Sequence, residues 1–392
     1  MLIESLPAWL REFREMSQET PEQVQSALDV RDRSRVSVIQ WRGQFSPQLI
    51  EFILSENSGK SILDPFCGSG TVLYEAATFN RSAVGIDVNP AAVSLASFAL
   101  YCKMPIRDRV KFVDAAKARV HKDLAKQHKE KTLSLEFCTR LPKEPFYRCY
   151  LLTLFSNRTH ASLSDALTTL NQLCSKLLSL PLAKRELDVI HGDARRTPYA
   201  AKYFDVVVTS PPYINVFNYH QNYRPVMEAL GEAPLQIAKT EIGANRKHRQ
   251  NRFLTVIQYC IDMQAVFQEL SRVLKPNGQA IFVVGRCSKV RGVPFQNGEL
   301  IAATAVLGAG FELRSKRERV FTNRFGERIF EDILVLKRAQ RPAANLPDEI
   351  GREIGAQALM DAMGVPKNKA AEDEIRDAYD RRAGVTRSPS IG

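Results

Sequence analysis

Cysteine is scarce in this chain of 392 residues, and none of it is spaced for metal chemistry. The seven cysteines include no Cys-x-x-Cys pair, which argues against a zinc site and against a disulfide framework. Histidine is scarcer still, with six scattered copies. His121 and His128 fall on one expected helix without a third ligand, so they read as solvated and no metal is expected. No apolar run approaches the ~18 residues that a membrane span requires. No signal-peptide pattern opens the chain. A cytoplasmic protein with no membrane partner is therefore expected. Internal repeats are absent.

Acidic charge is in deficit. The net charge is +12 and the isoelectric point about 9.4, a balance that suits a phosphate-backbone partner. Many basic proteins bind no nucleic acid, so the partner has to be argued from motifs. With 44% hydrophobic residues the chain can bury a sizeable core.

The most informative stretch is Val208-Thr209-Ser210-Pro211-Pro212-Tyr213, directly after the apolar run Phe204–Val207. A buried strand is expected to end in Ser210-Pro211-Pro212-Tyr213. Proline has no N–H and a fixed φ, so the turn is stiff and presents carbonyls with few competing donors. The Ser210 hydroxyl and a main-chain carbonyl at Ser210 or Pro211 could accept both hydrogens of a planar amine. That would pull the nitrogen towards a tetrahedral shape and free its lone pair. Tyr213 offers a face on which a base can stack.

A second strand, glycine loop and helix are expected in Ser61-Ile62-Leu63-Asp64-Pro65-Phe66-Cys67-Gly68-Ser69-Gly70-Thr71 and onward to Phe79. Gly68 and Gly70 permit positive φ and close approach of backbone to a ligand. No Gly-Lys-Ser/Thr follows, which excludes a Walker loop. Asp87 closes the next strand, Ser82–Asp87, about twenty residues after Asp64, the spacing at which a carboxylate meets ribose hydroxyls; the competing reading is a helix N-cap. Asp193 ends the strand Leu187–His191 region, with Asp114, after Val110–Val113, as a competing strand end. The short approach from Asp193 into the Pro-Pro turn favours Asp193.

These stretches resemble the S-adenosylmethionine-dependent DNA amino-methyltransferases. Ser210–Tyr213 looks like their motif IV in its cytosine-N4 form, the adenine-N6 branch more often having Asp or Asn at the position of Ser210. Asp64–Thr71 resembles motif I, Asp87 and Asp193 match the acidic strand ends of motifs II and III, and Phe45-Ser46-Pro47-Gln48 resembles motif X. The resemblance covers roughly residues 41–100 and 186–336, in the unpermuted motif order, with the subgroup left open. It implies S-adenosylmethionine as cofactor, held by Asp64, Phe66, Gly68, Gly70, Asp87, Asp193, Ser46 and Pro47, and Ser210, Pro211, Pro212 and Tyr213 as the catalytic turn. Cys67 is taken as a packing residue, since the cytosine-C5 enzymes use a Pro-Cys pair that this chain lacks.

The implied fold is α/β: a Rossmann-like S-adenosylmethionine methyltransferase sheet with helices on both faces, a C-terminal antiparallel hairpin and a helical insertion. Residues 1–44 form an N-terminal helical segment, with Thr20-Pro21-Glu22-Gln23 read as a capping box. Residues 45–340 form the catalytic domain, with the insertion at about 101–185. The hairpin, Phe311–Phe321 with Arg328–Leu336, would supply a reversed edge strand. Residues 341–392 form a helical or partly disordered tail.

The expected partner is double-stranded DNA, contacted by Tyr219, Tyr223, Arg246, Lys247, Arg249 and Arg252, with the insertion as a further candidate for target binding. Four functions compete. Cytosine-N4 methylation within a restriction–modification system, with a separately encoded endonuclease, comes first. Adenine-N6 methylation, RNA base methylation and a non-catalytic nucleic-acid-binding role follow. A monomer or dimer is expected.

Overall fold

The computed structural model of the chain describes all residues except 1–4, 17–19, 32–34, 42, 127–131, 215–218, 245–247, 324–325, 340–345, 366–368 and 392, and the side chains of residues 219 and 222. Seven strands form the main sheet: β1 (Ser61–Asp64), β2 (Ser82–Asp87), β3 (Leu187–His191), β4 (Phe204–Thr209), β5 (Leu274–Gly285), β6 (Phe311–Thr322) and β7 (Arg328–Arg338). Their order is β6-β7-β5-β4-β1-β2-β3. Strands β1 to β5 pair in parallel, and β7 runs antiparallel to both its neighbours.

Apolar runs build this sheet because both of its faces are covered. Successive residues point to opposite faces. On β4, Val206 and Val208 enter one core and Val207 the other, which Phe204 also joins because the register shifts between it and Val206; on β1, Ile62 and Leu63 divide in the same way. The first core takes the helices Pro47–Ser55, Thr71–Thr78 and Pro90–Ala96. The second takes Leu254–Val273 and Asn297–Ala309. The chain thus forms the Rossmann-like sheet with helices on both faces that its motifs imply. The reversed strand sits one place in from the edge, however, because β7 inserts between β5 and β6 and leaves β6 outermost.

The order of connection reverses between β1 and β4. One half of the sheet grows from β1 through β2 to β3, the other from β4 to β5. Open α/β sheets bind ligands outside the carboxyl ends of the strands at such a switch point. The glycine loop after β1 and the Pro-Pro turn after β4 therefore emerge side by side, on strands paired at Ile62↔Val206 and Leu63↔Val207.

Several local expectations need correction. The segment holding Asp114 is part of the helix Ile106–Ala125 and not a strand, which removes the competitor to Asp193. The capping box at Thr20 does not form: the helix runs Glu22–Asp29, with Pro21 at the N-cap and no side-chain cap bond. A capping box does close at Ser162 and Asp165. The insertion contains the helices Ile106–Ala125, Pro145–Leu154 and Leu163–Ser179, and also a short ribbon pairing Thr132–Ser134 with His160–Ser162. The tail forms helices Glu349–Ala362 and Lys369–Asp380 and then returns to the helix Leu254–Val273, where Ser388 donates from its main-chain N–H to Asp262 at 2.8 Å.

Candidate active site

Four strand tips meet around one cavity. The loop after β1 is shaped by two glycines with distinct duties. Gly68 has φ +51°, and a Cβ there would stand 2.9 Å from the Trp41 ring. Only glycine fits where the N-terminal segment crosses the loop. Gly70, at φ +84°, would press a Cβ to 3.2 Å from Ala96. It serves close packing on the next helix and does not line the cavity. Phe66, Cys67, Gly68 and Ser69 do line it.

Asp64, expected among the cofactor contacts, lies beneath the cavity. It is 1% exposed and accepts hydrogen bonds from the Thr209 hydroxyl at 2.7 Å and the Phe66 N–H at 3.2 Å. It ties the tips of β1 and β4 together. Burial raises its carboxyl to about 7, against the opposing effect of those two bonds. Ser46 and Pro47 are likewise set back from the cavity lining. Ser46 caps the helix Pro47–Ser55 by accepting from Leu49 N–H at 3.3 Å. The residues just before them, Gln44 and Phe45, form the wall.

Asp87, at the tip of β2, accepts from Gly68 N–H at 3.0 Å and from Asn89 N–H at 2.9 Å. The N-cap of the following helix is Asn89, whose side chain accepts from Ala91 N–H at 2.9 Å. The cap reading of Asp87 therefore falls away, and Asp87 lines the cavity. Burial raises its carboxyl to about 6.

Asp193 lines the cavity beyond β3. Arg195 holds it through both carboxylate oxygens, at 2.9 and 2.6 Å. Arg195 also donates to Asp262 and to the carbonyls of Ser388 and Pro389, each at 2.8 Å. The tail thus braces the arginine that braces Asp193.

Ser210, Pro211, Pro212 and Tyr213 all face the cavity. The Ser210 and Tyr213 hydroxyls lie 3.1 Å apart. Tyr213 packs closely against Gly285, where a Cβ would be 3.1 Å from its ring. Burial pushes its hydroxyl up to about 12, so it stays protonated. Cys67 is buried and its thiol is pushed well above the ordinary value by burial and then by Asp87 and Asp64. A protonated, enclosed thiol is not a nucleophile, which agrees with a packing role.

Among the expected nucleic-acid contacts, Tyr223 stacks on Trp41 with ring centroids 5.7 Å apart and planes at 5°. Trp41 itself lines the cavity. Tyr219 opens a short helix, Tyr219–Asn222. Arg249 is exposed and Arg252 half-buried, and neither lines the cavity. Arg246 and Lys247 lie outside the described residues. Sequence reasoning missed Trp41, Gln44, Thr240 and Glu241 in the lining. The aromatic residue just upstream of the Ser46-Pro47 cap was the one local signal available; Glu241 carries none.

The chemistry of this lining fits S-adenosylmethionine, which the fold and family imply. That molecule carries a sulfonium and an ammonium, a ribose diol and a flat base. The lining offers three carboxylates, Asp87, Asp193 and Glu241, with the aromatic faces of Trp41, Phe45 and Phe66, and no lysine or arginine among the described lining residues. One buried carboxylate oxygen, on Glu241, has no partner among the described residues.

Comparison with known proteins gives two family matches. A DNA methylase model matches residues 10–98, and an Eco57I restriction-modification methylase model matches residues 81–286. Among curated proteins, the type II methyltransferase M.MjaII of Methanocaldococcus jannaschii is 42% identical over 52 residues, 13% of this chain and 10% of that protein. The type II methyltransferase M.HpaI of Haemophilus parainfluenzae is 43% identical over 44 residues, 11% of this chain and 14% of that protein. The matched segments thus span only a small part of these relatives. Among solved structures, TrmN from Thermus thermophilus superposes with a TM-score of 0.34 at 15% identity, over 76% of this chain and 50% of that one.

Proposed function

The chain belongs to the Eco57I restriction-modification methylase family, whose model matches just over half of it, and from that premise we propose that it methylates the exocyclic N4 amine of cytosine in duplex DNA. S-adenosylmethionine supplies the electrophilic methyl group. Phe66, Gly68, Asp87 and Asp193 hold the cofactor, and Ser210 to Tyr213 hold the base.

An exocyclic amine is a poor nucleophile because its lone pair is delocalised into the ring. The Ser210 hydroxyl and a carbonyl of Ser210 or Pro211 accept its two hydrogens and localise that pair. The pyrrolidine rings keep these acceptors fixed, so most of the rate comes from alignment and preorganised dipoles. Tyr213 walls the base. In a duplex the amine is out of reach, so the base leaves the stack to enter the cavity. The net charge of +12 suits the phosphate backbone that brings it there. A role as the modification half of a restriction–modification system follows from the same reading.

The observation that supports this most strongly is the adjacency of the 66–69 loop and the 210–213 turn. They are joined beneath by Thr209 and Asp64 and share one cavity. Ser at position 210 favours cytosine; adenine N6 is the second reading, since the two amines need nearly the same acceptors. Nucleoside mass spectrometry of DNA and RNA from an expressing host, with single-molecule sequencing, tests both. N4-methylcytosine in a fixed sequence context is the expected product. N6-methyladenine would transfer the assignment to adenine, and unmodified DNA with an active, cofactor-bound protein would overturn it.

A further inference from the structure

Beyond the residues already assigned, the cavity holds a carboxylate for which the fold gives only half a reason. Glu241 lies in the segment after the short helix Pro234–Ile237, and its side chain is 7% exposed. Its Oε2 is 2.9 Å from Nδ1 of His220, which is itself 1% exposed. Its Oε1 and the His220 Nε2 have no partner among the described residues. A buried carboxylate oxygen without a donor carries a desolvation cost that no hydrogen bond offsets. A pair built only for stability would be expected to satisfy both ends, as Asp193 and Arg195 do.

The placement of Glu241 is closely tied to the catalytic turn. Gly243 has φ +72°, and a Cβ there would stand 2.8 Å from the Tyr213 carbonyl. The segment therefore lies directly on the turn and cannot be displaced without disturbing it. Glu241 shares the lining with Asp87 and is near enough to act on it electrostatically. Each Asp87 oxygen already takes one main-chain N–H. A carboxylate oxygen has about two acceptor directions, so Asp87 keeps only part of its capacity for a ligand.

We propose that Glu241 and Asp87 together clasp the ribose cis-diol of the cofactor, one hydroxyl to each carboxylate, with His220 as the residue that positions Glu241. The inference rests on the S-adenosylmethionine reading. It adds a ribose contact that comes from the substrate side of the cavity, on the segment that follows the Pro-Pro turn. Cofactor binding then also fixes the segment that packs on Tyr213.

Isothermal titration of the full chain with S-adenosylhomocysteine and its 2′-deoxy and 3′-deoxy forms separates this inference from the reading beneath it. Failure of the unaltered chain to bind S-adenosylhomocysteine would remove the cofactor reading itself. Given binding, Glu241→Ala is expected to weaken the parent ligand roughly 10- to 100-fold, the range of a hydrogen bond to a charged group. The same variant should cost nothing further on the deoxy ligand that lacks the partnered hydroxyl. Glu241→Gln keeps an acceptor oxygen and should stay within a few-fold of the unaltered chain. His220→Ala should show the same hydroxyl-selective loss at smaller size. Equal losses on all three ligands, or an unchanged constant for Glu241→Ala, would overturn the clasp.

Discussion

Two buried polar sites in this molecule treat their hydrogen-bonding capacity in opposite ways. Within the insertion, Arg109 is 1% exposed and its guanidinium donates to four carbonyls, of Met104, Cys102, Leu180 and Pro181. It pins the start of one helix to the end of another, and every nitrogen has an acceptor. Around the cavity, Glu241 has one oxygen with no partner among the described residues and Asp87 keeps part of its acceptor capacity, and both line the same space. Full pairing marks polar groups that hold a fold together; incomplete pairing towards a cavity marks groups arranged for a ligand. Arg195 stands between the two cases, fully engaged itself while presenting Asp193 to the cavity.

This contrast breaks if variants at the two sites behave alike. The largest effect is expected at Ser210. Removing an acceptor aimed at the reacting amine should lower turnover about 10²- to 10³-fold, as loss of a preorganised polar group does elsewhere. The cofactor dissociation constant should stay nearly unchanged, and methyl-transfer rates beside titration calorimetry check both. Turnover within a few-fold of normal would refute the role of the hydroxyl.

Arg109→Met comes next and should act on the other quantity. It leaves four carbonyls without their donor and should destabilise the chain by about 3 kcal/mol, read from denaturant midpoints. Cofactor affinity of the folded variant should not move. A changed affinity at unchanged stability would erase the distinction between the two sites.

Asp87→Ala should weaken the cofactor roughly tenfold or more while leaving the fold intact. The same carboxyl sets a pH dependence. Burial raises it to about 6, and hydroxyl donors bind its charged form. Affinity should therefore rise as pH increases from 5 to 7, by up to about tenfold over that span, with proton release on binding near pH 6. Asp87→Asn should flatten this profile.

The smallest expected effect is at Asp64. Its carboxyl stands at about 7 in the fold, above the usual carboxylate range, so the folded chain holds this proton more tightly than the unfolded one. The associated stability is present below about pH 4 and is lost as pH rises through 7. Asp64→Asn, which keeps an acceptor for Thr209, should lose less Tm between pH 5 and 8 than the unaltered chain, by a few degrees (~2–4 °C). An identical Tm profile would mean that Asp64 is charged in the fold.

The parts legible beforehand were those whose cause is local. The run Phe204–Thr209, the stiff Pro211-Pro212 pair and the positive-φ demand at Gly68 each state their geometry within a few residues. The place of Asp87 in the cavity lining follows from a strand end and a spacing that coincide. The position of Asp64 beneath the lining is not legible, because a strand-end position looks the same whether the carboxylate faces a ligand or a neighbouring strand. Only the pairing of β1 with β4, and so the bond from Thr209, decides between them. Glu241 was invisible for the same reason: its neighbours His220 and Asp87 are distant in the chain. The docking of Ser388 and Pro389 on Arg195 likewise joins residues almost two hundred positions apart, with no composition signal to announce it.

The most direct trial is a crystal structure of the chain with S-adenosylhomocysteine. The ligand should lie along Phe66 to Ser69, with its ribose at Asp87, its adenine near Asp193 and its sulfur facing Ser210. A ligand bound elsewhere, or with its sulfur turned away from the 210–213 turn, would contradict a cavity shared by donor and base.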